Sequence, residues 1–366
     1  MISPQLAALT SGLPGSRVVN VRNPQVDLLI LGAGPSGCAA AICALQSGMT
    51  VALLETQAAP RPSPGETLHP GVEPIFRQLG VWDSIVQCHF HRHRGIWRES
   101  GGLRVFEPYG SDQHGPWLGF QVDRAQLNRI LRARVADLGG SITHVAHLVG
   151  VLKNQDAVSG VRAGGQTFDA RFVLDATGRH SWLADKLGLI AEKQSPTQRL
   201  RFGWSKDDLP ELDAQPLFRQ RKDGWHWLCP LGDGRCAWVE LRHGPSSWGS
   251  EYTCRIYRDC AGPGYFLLGD AACLMDPSAA NGVLRALMSG MYAMHLISVV
   301  VQRVATPLQA ASGYKQWIGD WFDHASRALR HLWAEANSTE HTFIPLTSIM
   351  QERGAYVKNH HQWRYS

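Results

Sequence analysis

The chain has 366 residues, of which 44% are hydrophobic and 18% are charged. Disordered chains have low hydrophobicity and high charge, so this composition excludes disorder and predicts a sizeable core in about two structural units. The net charge of +5 comes from scattered residues, 29 Arg and 7 Lys, rather than from one basic run or face. That distribution argues against a protein that binds nucleic acid.

The N-terminal segment and the cysteines set expectations about location. Residues 1–24 contain no long apolar run, so we expect an extension that is neither a signal peptide nor a membrane anchor. The eight cysteines include no CxxC pair, which argues against a zinc site and against a disulfide scaffold. Reduced cysteines predict a cytoplasmic protein. The missing zinc spacing predicts that it binds no metal, and the missing apolar run predicts that it enters no membrane.

The first strong pattern along the chain is a glycine-rich turn between two apolar strands. The apolar run 26–31 is typical of a central parallel strand, and G-x-G-x-x-G at 32–37 follows it directly. A small-residue helix and a second strand over 50–54 then lead to an acidic residue. Together these features form a dinucleotide fingerprint, with the glycines and the helix N-terminus facing a pyrophosphate and the acid facing a ribose. The predicted contacts are Gly32, Gly34, Pro35, Ser36, Gly37 and Glu55.

Two later segments repeat the pattern of an apolar strand that runs into a turn of small residues. Residues 171–178 run from a strand into Asp-Ala-Thr-Gly, and residues 265–272 run from a strand into Gly-Asp-Ala-Ala. The second of these continues through Pro277 and Asn281 into a long helical stretch. The early glycine turn, the middle D-x-x-G turn and the late G-D turn followed by Pro therefore occur in this order.

These three motifs resemble those of the flavoprotein monooxygenase superfamily of the hydroxybenzoate-hydroxylase and tryptophan-halogenase type. The resemblance implies an α/β fold: a Rossmann-like FAD-binding domain of the GR2 type, a β-sheet substrate cap and a C-terminal helical segment. It also implies FAD as cofactor, with Asp270 at the flavin ribitol and the helix N-terminus from Asn281 at the pyrimidine end of the isoalloxazine, where it stabilises negative charge. The further cofactor residues carried over are Arg124, Asp175, Gly178, Gly269, Pro277, Gly282 and Val283.

The resemblance also divides the chain into discontinuous units. Alternating residues in the segments between the motifs predict the hairpin strands of a cap. The expected units are an N-terminal extension over 1–24, an FAD-binding domain over 25–85, 119–190 and 260–330, a cap sheet over 86–118 and 191–259, and a helix end with a tail over 331–366.

One cap segment, Trp225-His226-Trp227-Leu228-Cys229-Pro230, approximates the W-x-W-x-x-P motif of flavin-dependent tryptophan halogenases, which have Ile in place of Cys229. In a strand Trp225, Trp227 and Cys229 share one face, so we expect them to line the core or the flavin cavity. Those halogenases use a Lys that follows a G-E loop. The loop has a counterpart here, but the first 152 residues contain no Lys, and Arg cannot act as a neutral amine. Halogenation is therefore disfavoured.

The loop P-G-E-T-L-H-P over 64–70, the stretch 269–290 and the overall length resemble a smaller group within the superfamily. These are the flavoprotein maturation enzymes paired with lysine and glycine oxidases that contain cysteine tryptophylquinone. The resemblance implies an FAD-dependent monooxygenase that uses O2 to oxygenate a Trp side chain of the partner oxidase precursor. It places His69 and Glu66 near the flavin as catalytic candidates, His69 for proton transfer or positioning. A structural hydrogen bond is the alternative role for His69, and Glu66 could instead hold the loop.

Other functions remain open at this point. They are a flavin monooxygenase acting on a small aromatic molecule, a flavin-dependent halogenase, a prenyl reductase, and a non-catalytic flavin-fold chaperone. The electron donor, either NAD(P)H or a separate reductase, and a homodimeric state are also open.

Overall fold

The computed structural model describes residues 21–22, 25–57, 65–207, 209–243 and 249–336. Most of the predicted extension over 1–24 and all of the tail over 337–366 therefore lie outside the described residues. The strands are β1 Val21–Arg22, β2 Val26–Leu31, β3 Val51–Glu55, β4 Glu66–Leu68, β5 His91–His93, β6 Gly95–Ser100, β7 Leu103–Pro108, β8 Ser111–Asp112, β9 Gly115–Pro116, β10 Gly119–Val122, β11 Ile142–His144, β12 Leu148–Asn154, β13 Ala157–Ala163, β14 Gln166–Asp175, β15 Ala191–Lys193, β16 Gln198–Ser205, β17 Leu217–Arg221, β18 Gly224–Pro230, β19 Cys236–His243, β20 Ser250–Tyr252, β21 Arg255–Tyr257, β22 Ala261–Gly262, β23 Tyr265–Leu267 and β24 Cys273–Leu274. The α-helices are α1 Pro35–Gln46, α2 Val72–Gln78, α3 Trp82–Gln87, α4 Arg124–Asp137, α5 Trp182–Leu187, α6 Gly282–Val301 and α7 Pro307–Ala336.

The larger of the two main layers is a sheet that has nine strands within the described residues, with the path β11-β3-β2-β14-β13-β12. The central strands β3, β2, β14 and β23 are parallel, and β2 is buried along most of its length, as its apolar run predicted. In the ladder, Asp175 at the end of β14 is level with Leu31 of β2 and Leu267 of β23. The three predicted turns therefore begin side by side at the carboxyl edge of one sheet.

Helices α1 and α6 cover this edge and pack closely on each other. A Cβ atom added at Gly290 of α6 would lie 2.4 Å from the main-chain oxygen of Ser36 in α1. Helix α6 is long and apolar enough to cross a membrane by length and composition (mean hydropathy 1.5), but 61% of that stretch is buried inside the protein. Its apolar surface is therefore used for packing against other helices.

The second main layer is the cap, a seven-stranded sheet within the described ranges, with the order β20-β16-β19-β18-β17-β6-β7. On β18 the side chains of Trp225, Trp227 and Cys229 are buried at 1%, 7% and 1% exposure, while His226 and Leu228 between them are only half-buried. The three residues share the inner face of the cap, as the alternation predicted.

Three short segments that the sequence assigned to the cap pair elsewhere. Strand β5 joins β10 and β4 in a separate sheet, and β15 and β21 join β24 in another. Each of these small sheets combines a cap segment with a segment of the predicted FAD-binding domain. They tie the two layers together, which local alternation alone does not reveal.

The glycines of the first turn give a direct test of this packing. Gly37→Ala would place a Cβ atom 2.0 Å from the main-chain oxygen of Gly32, whereas Gly34→Ala would place one where no atom lies within 4 Å. We expect Gly37→Ala to lower the free energy of unfolding by about 1–3 kcal/mol through overpacking, and Gly34→Ala to leave it nearly unchanged. Thermal unfolding without added cofactor measures both. Equal melting temperatures for the two variants would contradict the close approach.

Candidate functional site

The first turn leaves an open cradle at the N-terminus of α1. Gly32 has φ +105°, and a Cβ atom there would lie 2.4 Å from the main-chain oxygen of Ala176, so the turn requires glycine. Gly34 caps the helix without a side-chain hydrogen bond, and the space beside its Cα is empty to 4 Å. The first N–H groups of a helix have no partner within the helix, so this cradle suits a phosphate group.

Glu55 lies beside this turn and is held there by an arginine. Its Oε2 accepts hydrogen bonds from the Ala33 N–H and from Arg132 Nη2, both at 3.1 Å. The Nε of Arg132 also donates to the Ala33 carbonyl oxygen at 3.0 Å. Arg132 thus ties the acidic residue to the glycine turn. The fingerprint contains no signal for Arg132, which comes from α4.

Asp175, predicted to contact the cofactor, has a different position. Its carboxylate is fully buried, and it accepts hydrogen bonds from the Thr177 N–H at 2.8 Å, the Thr177 hydroxyl at 2.6 Å and the Leu183 N–H at 2.7 Å. Burial raises the pKa of this carboxyl, and the hydrogen bonds oppose that shift. The structure therefore gives Asp175 the task of shaping the turn that contains Gly178, which has φ +65°.

Asp270 is presented to the same edge by a buried arginine. Its Oδ1 accepts a hydrogen bond from Arg285 Nη2 at 2.6 Å. The Asp270 side chain is 43% exposed, whereas that of Arg285 is 2% exposed. The main-chain N–H of Gly269 donates to the Ser289 hydroxyl at 2.9 Å, which fixes the turn on α6. Arg285 was not among the predicted site residues, because its pairing depends on how α6 lies beneath the turn.

The N-terminus of α6 presents a buried amide. Asn281 caps this helix at 6% exposure, and its Nδ2 has no hydrogen-bond partner among the described residues. No atom lies within 4 Å of a Cβ placed on Gly282, and the 3-10 turn from Pro277 leads into this end. A buried donor without a partner is costly, so an acceptor from a bound molecule would satisfy Asn281 here.

Glu66, Arg124 and Asp270 form a charged cluster. Arg124 opens α4, as predicted, and its Nη1 donates to Glu66 Oε1 at 2.6 Å. Burial is the largest influence on Glu66 and raises the pKa of its carboxyl; the positive charge of Arg124 lowers it, and the negative charge of Asp270 raises it further. The loop over 65–70, the start of α4 and the G-D turn are thus brought together.

His69 is half-buried on the same loop. Its Nδ1 accepts a hydrogen bond from the Gly71 N–H at 3.0 Å, so Nε2 is the nitrogen that holds the proton of the neutral ring. The ring centroids of His69 and Tyr109 are 5.1 Å apart in an edge-to-face arrangement. The ring of His93 is tilted relative to that of Tyr109, and the two centroids are 5.3 Å apart. Burial lowers the pKa of His93 to about 4, so that ring is neutral. His69 therefore has both the structural bond expected as the alternative and a nitrogen able to donate a proton.

The cap strand β18 is fastened to these segments by its two tryptophans. The Trp225 indole N–H donates to Asp276 Oδ1 at 3.0 Å, just before Pro277. The Trp227 indole N–H donates to the Thr67 hydroxyl at 2.9 Å, and that hydroxyl donates to Gln121 Oε1 at 3.0 Å. The Cys229 thiol donates to the same Gln121 oxygen. The two tryptophans therefore position the cap as well as line its inner face, which sequence reasoning missed.

Comparison with known proteins gives this arrangement a family context. A family model described as an FAD binding domain matches residues 25–232. A digeranylgeranylglycerophospholipid reductase of Thermoplasma acidophilum is 23% identical, over 89% of this chain and 92% of that protein.

Solved structures share the fold over most of the chain. The flavin-dependent brominase Bmp2 aligns with a TM-score of 0.75 at 18% identity, over 92% of this chain and 93% of that one. The peptidyl tryptophan dihydroxylase QhpG, essential for tryptophylquinone cofactor biogenesis, aligns with a TM-score of 0.64 at 20% identity, over 90% of this chain and 79% of that one.

The residues at this edge fit FAD. The space beside Gly34 is open and could hold a pyrophosphate. The Asp270 carboxylate is 43% exposed and could accept hydrogen bonds from ribityl hydroxyl groups. The Asn281 Nδ2 has no acceptor among the described residues and could donate to the flavin ring. These residues lie along one edge of the sheet, and their contact with FAD stays a prediction.

The Arg285–Asp270 pair leads to a prediction about cofactor affinity. We expect Arg285→Met to weaken FAD binding about tenfold, because a hydrogen bond to a charged group contributes roughly 1.5–3 kcal/mol and positions the carboxylate. Arg285→Lys should restore part of the affinity. Titration of apoprotein with FAD, followed by flavin fluorescence, measures the dissociation constant.

Arg98→Met is the matched control, since Arg98 is equally buried and pairs with Glu107 at 2.9 Å within the cap. It should lower the melting temperature without changing the FAD dissociation constant. If Arg285 acts through Asp270, the double variant Asp270→Asn/Arg285→Met will bind FAD no more weakly than Asp270→Asn alone. Additive losses would show that the two residues act separately.

Proposed function

Because the chain belongs to the family of FAD binding domains, we propose that it is an FAD-dependent monooxygenase that oxygenates a tryptophan side chain of a partner protein. FAD is its cofactor. The family match and the solved structures indicate a flavin enzyme of the oxidoreductase and halogenase type. The partner would be the precursor of an amino-acid oxidase that contains cysteine tryptophylquinone. This places the reaction in cofactor maturation.

The main support for the proposal is the set of residues in the loop over 65–70, which contacts the cap through Trp227. The loop over 65–70 contains Glu66 and His69 and lies against Trp227 through Thr67. It meets Arg124, and the first 152 residues contain no Lys that could act there as a neutral amine. The absence of this Lys supports a monooxygenase rather than a tryptophan halogenase.

Two further observations support a peptidyl tryptophan as substrate. The amino-acid sequence of the loop over 64–70 resembles that of the maturation flavoproteins of quinone-containing oxidases. The likeness to QhpG, which is named for peptidyl tryptophan dihydroxylation, extends over 90% of the chain. The relative named as a digeranylgeranylglycerophospholipid reductase is 23% identical. Because a reduction adds no oxygen atom, detection of an oxygenated product separates a monooxygenase from a reductase.

Under this proposal the residues at the sheet edge would hold FAD. FAD would supply the oxygen chemistry: with two electrons from a donor, two protons and O2, one oxygen atom would enter an indole C–H bond and the other would leave as water. The α1 N-terminus and Gly34 would hold the pyrophosphate, Glu55 the ribose, and Asp270 the ribityl chain. Asn281 and the N–H groups of α6 would bind the pyrimidine end, where they would stabilise negative charge.

The remaining residues handle protons and water. His69 would donate a proton from Nε2 while Gly71 holds its other nitrogen in place. Glu66 would hold the loop in place through its ion pair with Arg124. The cap, fastened through Trp225 and Trp227, would shield the reacting centre from water. A nicotinamide or a separate reductase would supply the electrons.

Co-expression with an oxidase precursor tests this function. We expect the precursor to gain the mass of one or more oxygen atoms with the wild-type protein, and much less with Asp270→Ala, because that variant loses a cofactor contact. Intact-mass spectrometry of the precursor and peptide mapping of the modified Trp measure the outcome. Asp259→Ala, at an exposed ion pair with Lys315, is the matched control and should behave as wild type.

Two results would count against the proposal. If the wild-type protein adds no oxygen to the precursor but oxygenates a free indole, the substrate is a small molecule. If Asp270→Ala, shown to lack FAD by its visible spectrum, matures the precursor as well as wild type, the protein acts as a non-catalytic escort.

A further inference from the structure

The ring of His69 contacts an aromatic side chain that comes from the cap. Tyr109 directly follows strand β7 and is buried, and its ring meets that of His69 edge to face with the centroids 5.1 Å apart. The main-chain N–H of Tyr109 donates to the carbonyl oxygen of Arg94, just before strand β6, at 2.9 Å. The β6–β7 hairpin therefore sets the position of this ring, and the loop that contains His69 does not.

A second histidine packs on Tyr109. His93 of strand β5 is buried, and its ring centroid lies 5.3 Å from that of Tyr109. Burial lowers the pKa of His93 to about 4, so the ring is neutral, and its Nδ1 donates to the Gly95 carbonyl oxygen at 3.1 Å. A Cβ atom placed on Gly119 of β10 would lie 2.5 Å from His93 Nε2. Main chain thus lies close to both ring nitrogens of His93, which limits how far Tyr109 can move.

The loop holds His69 at its other side. The Gly71 N–H donates to His69 Nδ1 at 3.0 Å, and a Cβ atom on Gly71 would lie 3.2 Å from the same nitrogen. A half-turn of the imidazole would break this hydrogen bond, and the ring of Tyr109 opposes smaller tilts. The hydrogen bond and the aromatic contact together restrict His69 to one orientation.

Orientation matters for the task proposed for His69. Proton transfer needs the donor within hydrogen-bond reach of the acceptor, and a displacement of about 1 Å can lower a rate roughly a hundredfold. The hydrogen bond from Gly71 belongs to the same loop as His69 and moves with it. The ring of Tyr109 is anchored outside that loop, and a contact between aromatic rings has a preferred geometry. The cap hairpin therefore supplies a fixed reference that the loop by itself lacks.

We propose that Tyr109, backed by His93, is a positioning residue that holds the His69 ring in its proton-donating orientation. This inference rests on the proposed function, and it identifies how the cap and the loop over 65–70 cooperate in the same site. Tyr109 acts through its ring, since the ring is the part in contact with both histidines. Because Tyr109 follows a cap strand, His69 is correctly placed only while the cap is seated.

The kinetics of precursor oxygenation by the FAD-loaded protein test the role of the ring. Tyr109→Leu removes the aromatic contact but keeps an apolar side chain, so we expect roughly a tenfold or greater loss of kcat with KM and the FAD dissociation constant unchanged. Tyr109→Phe keeps the ring and should recover most of the lost kcat. If Tyr109→Phe is as slow as Tyr109→Leu, the ring contact is not the cause and the proposal is overturned.

A double variant tests whether Tyr109 acts through His69. We expect His69→Gln alone to lower kcat, and addition of Tyr109→Leu to lower it no further, because the group being positioned is already gone. Additive losses would show that Tyr109 acts on something other than His69. A His69→Gln variant with the kcat of wild type would equally overturn the proposal.

The matched control is Phe106→Leu, in the same hairpin. The Phe106 ring contacts that of Trp97 with 5.0 Å between the centroids, and the two residues pair in the β6–β7 ladder. This variant removes an aromatic contact of the cap that involves no histidine, so it should lower the melting temperature and leave kcat unchanged. If its kcat falls as far as that of Tyr109→Leu, general loosening of the cap explains both variants and the proposal is wrong.

Nuclear magnetic resonance of the FAD-loaded protein with ¹⁵N-labelled histidine tests the orientation without turnover. The His69 signal, assigned by its loss in His69→Gln, should show the proton on Nε2 alone in wild type. In Tyr109→Leu we expect part of the population to carry the proton on Nδ1, because a tilted ring releases the Gly71 N–H.

The two proposals fail in different ways. If wild type oxygenates the precursor and the His69 signal and kcat are the same in Tyr109→Leu, the positioning role is wrong and the function stands. If wild type adds no oxygen but the His69 signal depends on Tyr109 as expected, the function is wrong and the positioning of the ring stands.

Discussion

The site depends on how closely the backbones of α1 and α6 approach each other. A methyl group at Gly290 would clash with the main chain of Ser36, and the side chain of Ser36 lies 3.4 Å from where a Cβ of Gly269 would stand. This contact sets the N-terminus of α1 beside the G-D turn and the first turn of α6. Both helix N-termini then face the same edge of the sheet, so one elongated anionic cofactor can use both.

Three carboxylates surround that edge, and each is paired with an arginine. Glu55 pairs with Arg132, Glu66 with Arg124, and Asp270 with Arg285. Without those partners, the carboxylates would repel the phosphates of FAD and would be costly to desolvate. Arginine suits these positions because it stays charged when partly buried.

The cap is joined to this charged edge by neutral hydrogen bonds. Trp225 and Trp227 each use an indole N–H to reach a segment of the lower layer. A buried donor that loses its partner is expensive, so these bonds fix the cap in one orientation. The inner face then runs from Trp227 of the fastened strand β18 across Val239 of β19 to Phe202 of β16.

The amino-acid sequence by itself determined the α/β fold class, FAD as the cofactor and the shared face of Trp225, Trp227 and Cys229. These follow from local rules: turns that only glycine permits, apolar runs that suit buried strands, and the alternation of side chains. Only the tertiary structure decided which strands form the small joining sheets and that Asp175 serves its own turn. It also decided the arginine partners and the cap attachments. Arg132 and Glu55 are 77 positions apart, and Trp227 and Thr67 are 160 apart. Contacts across such distances leave no periodic or spaced pattern in a single sequence, because they arise only when separate elements pack.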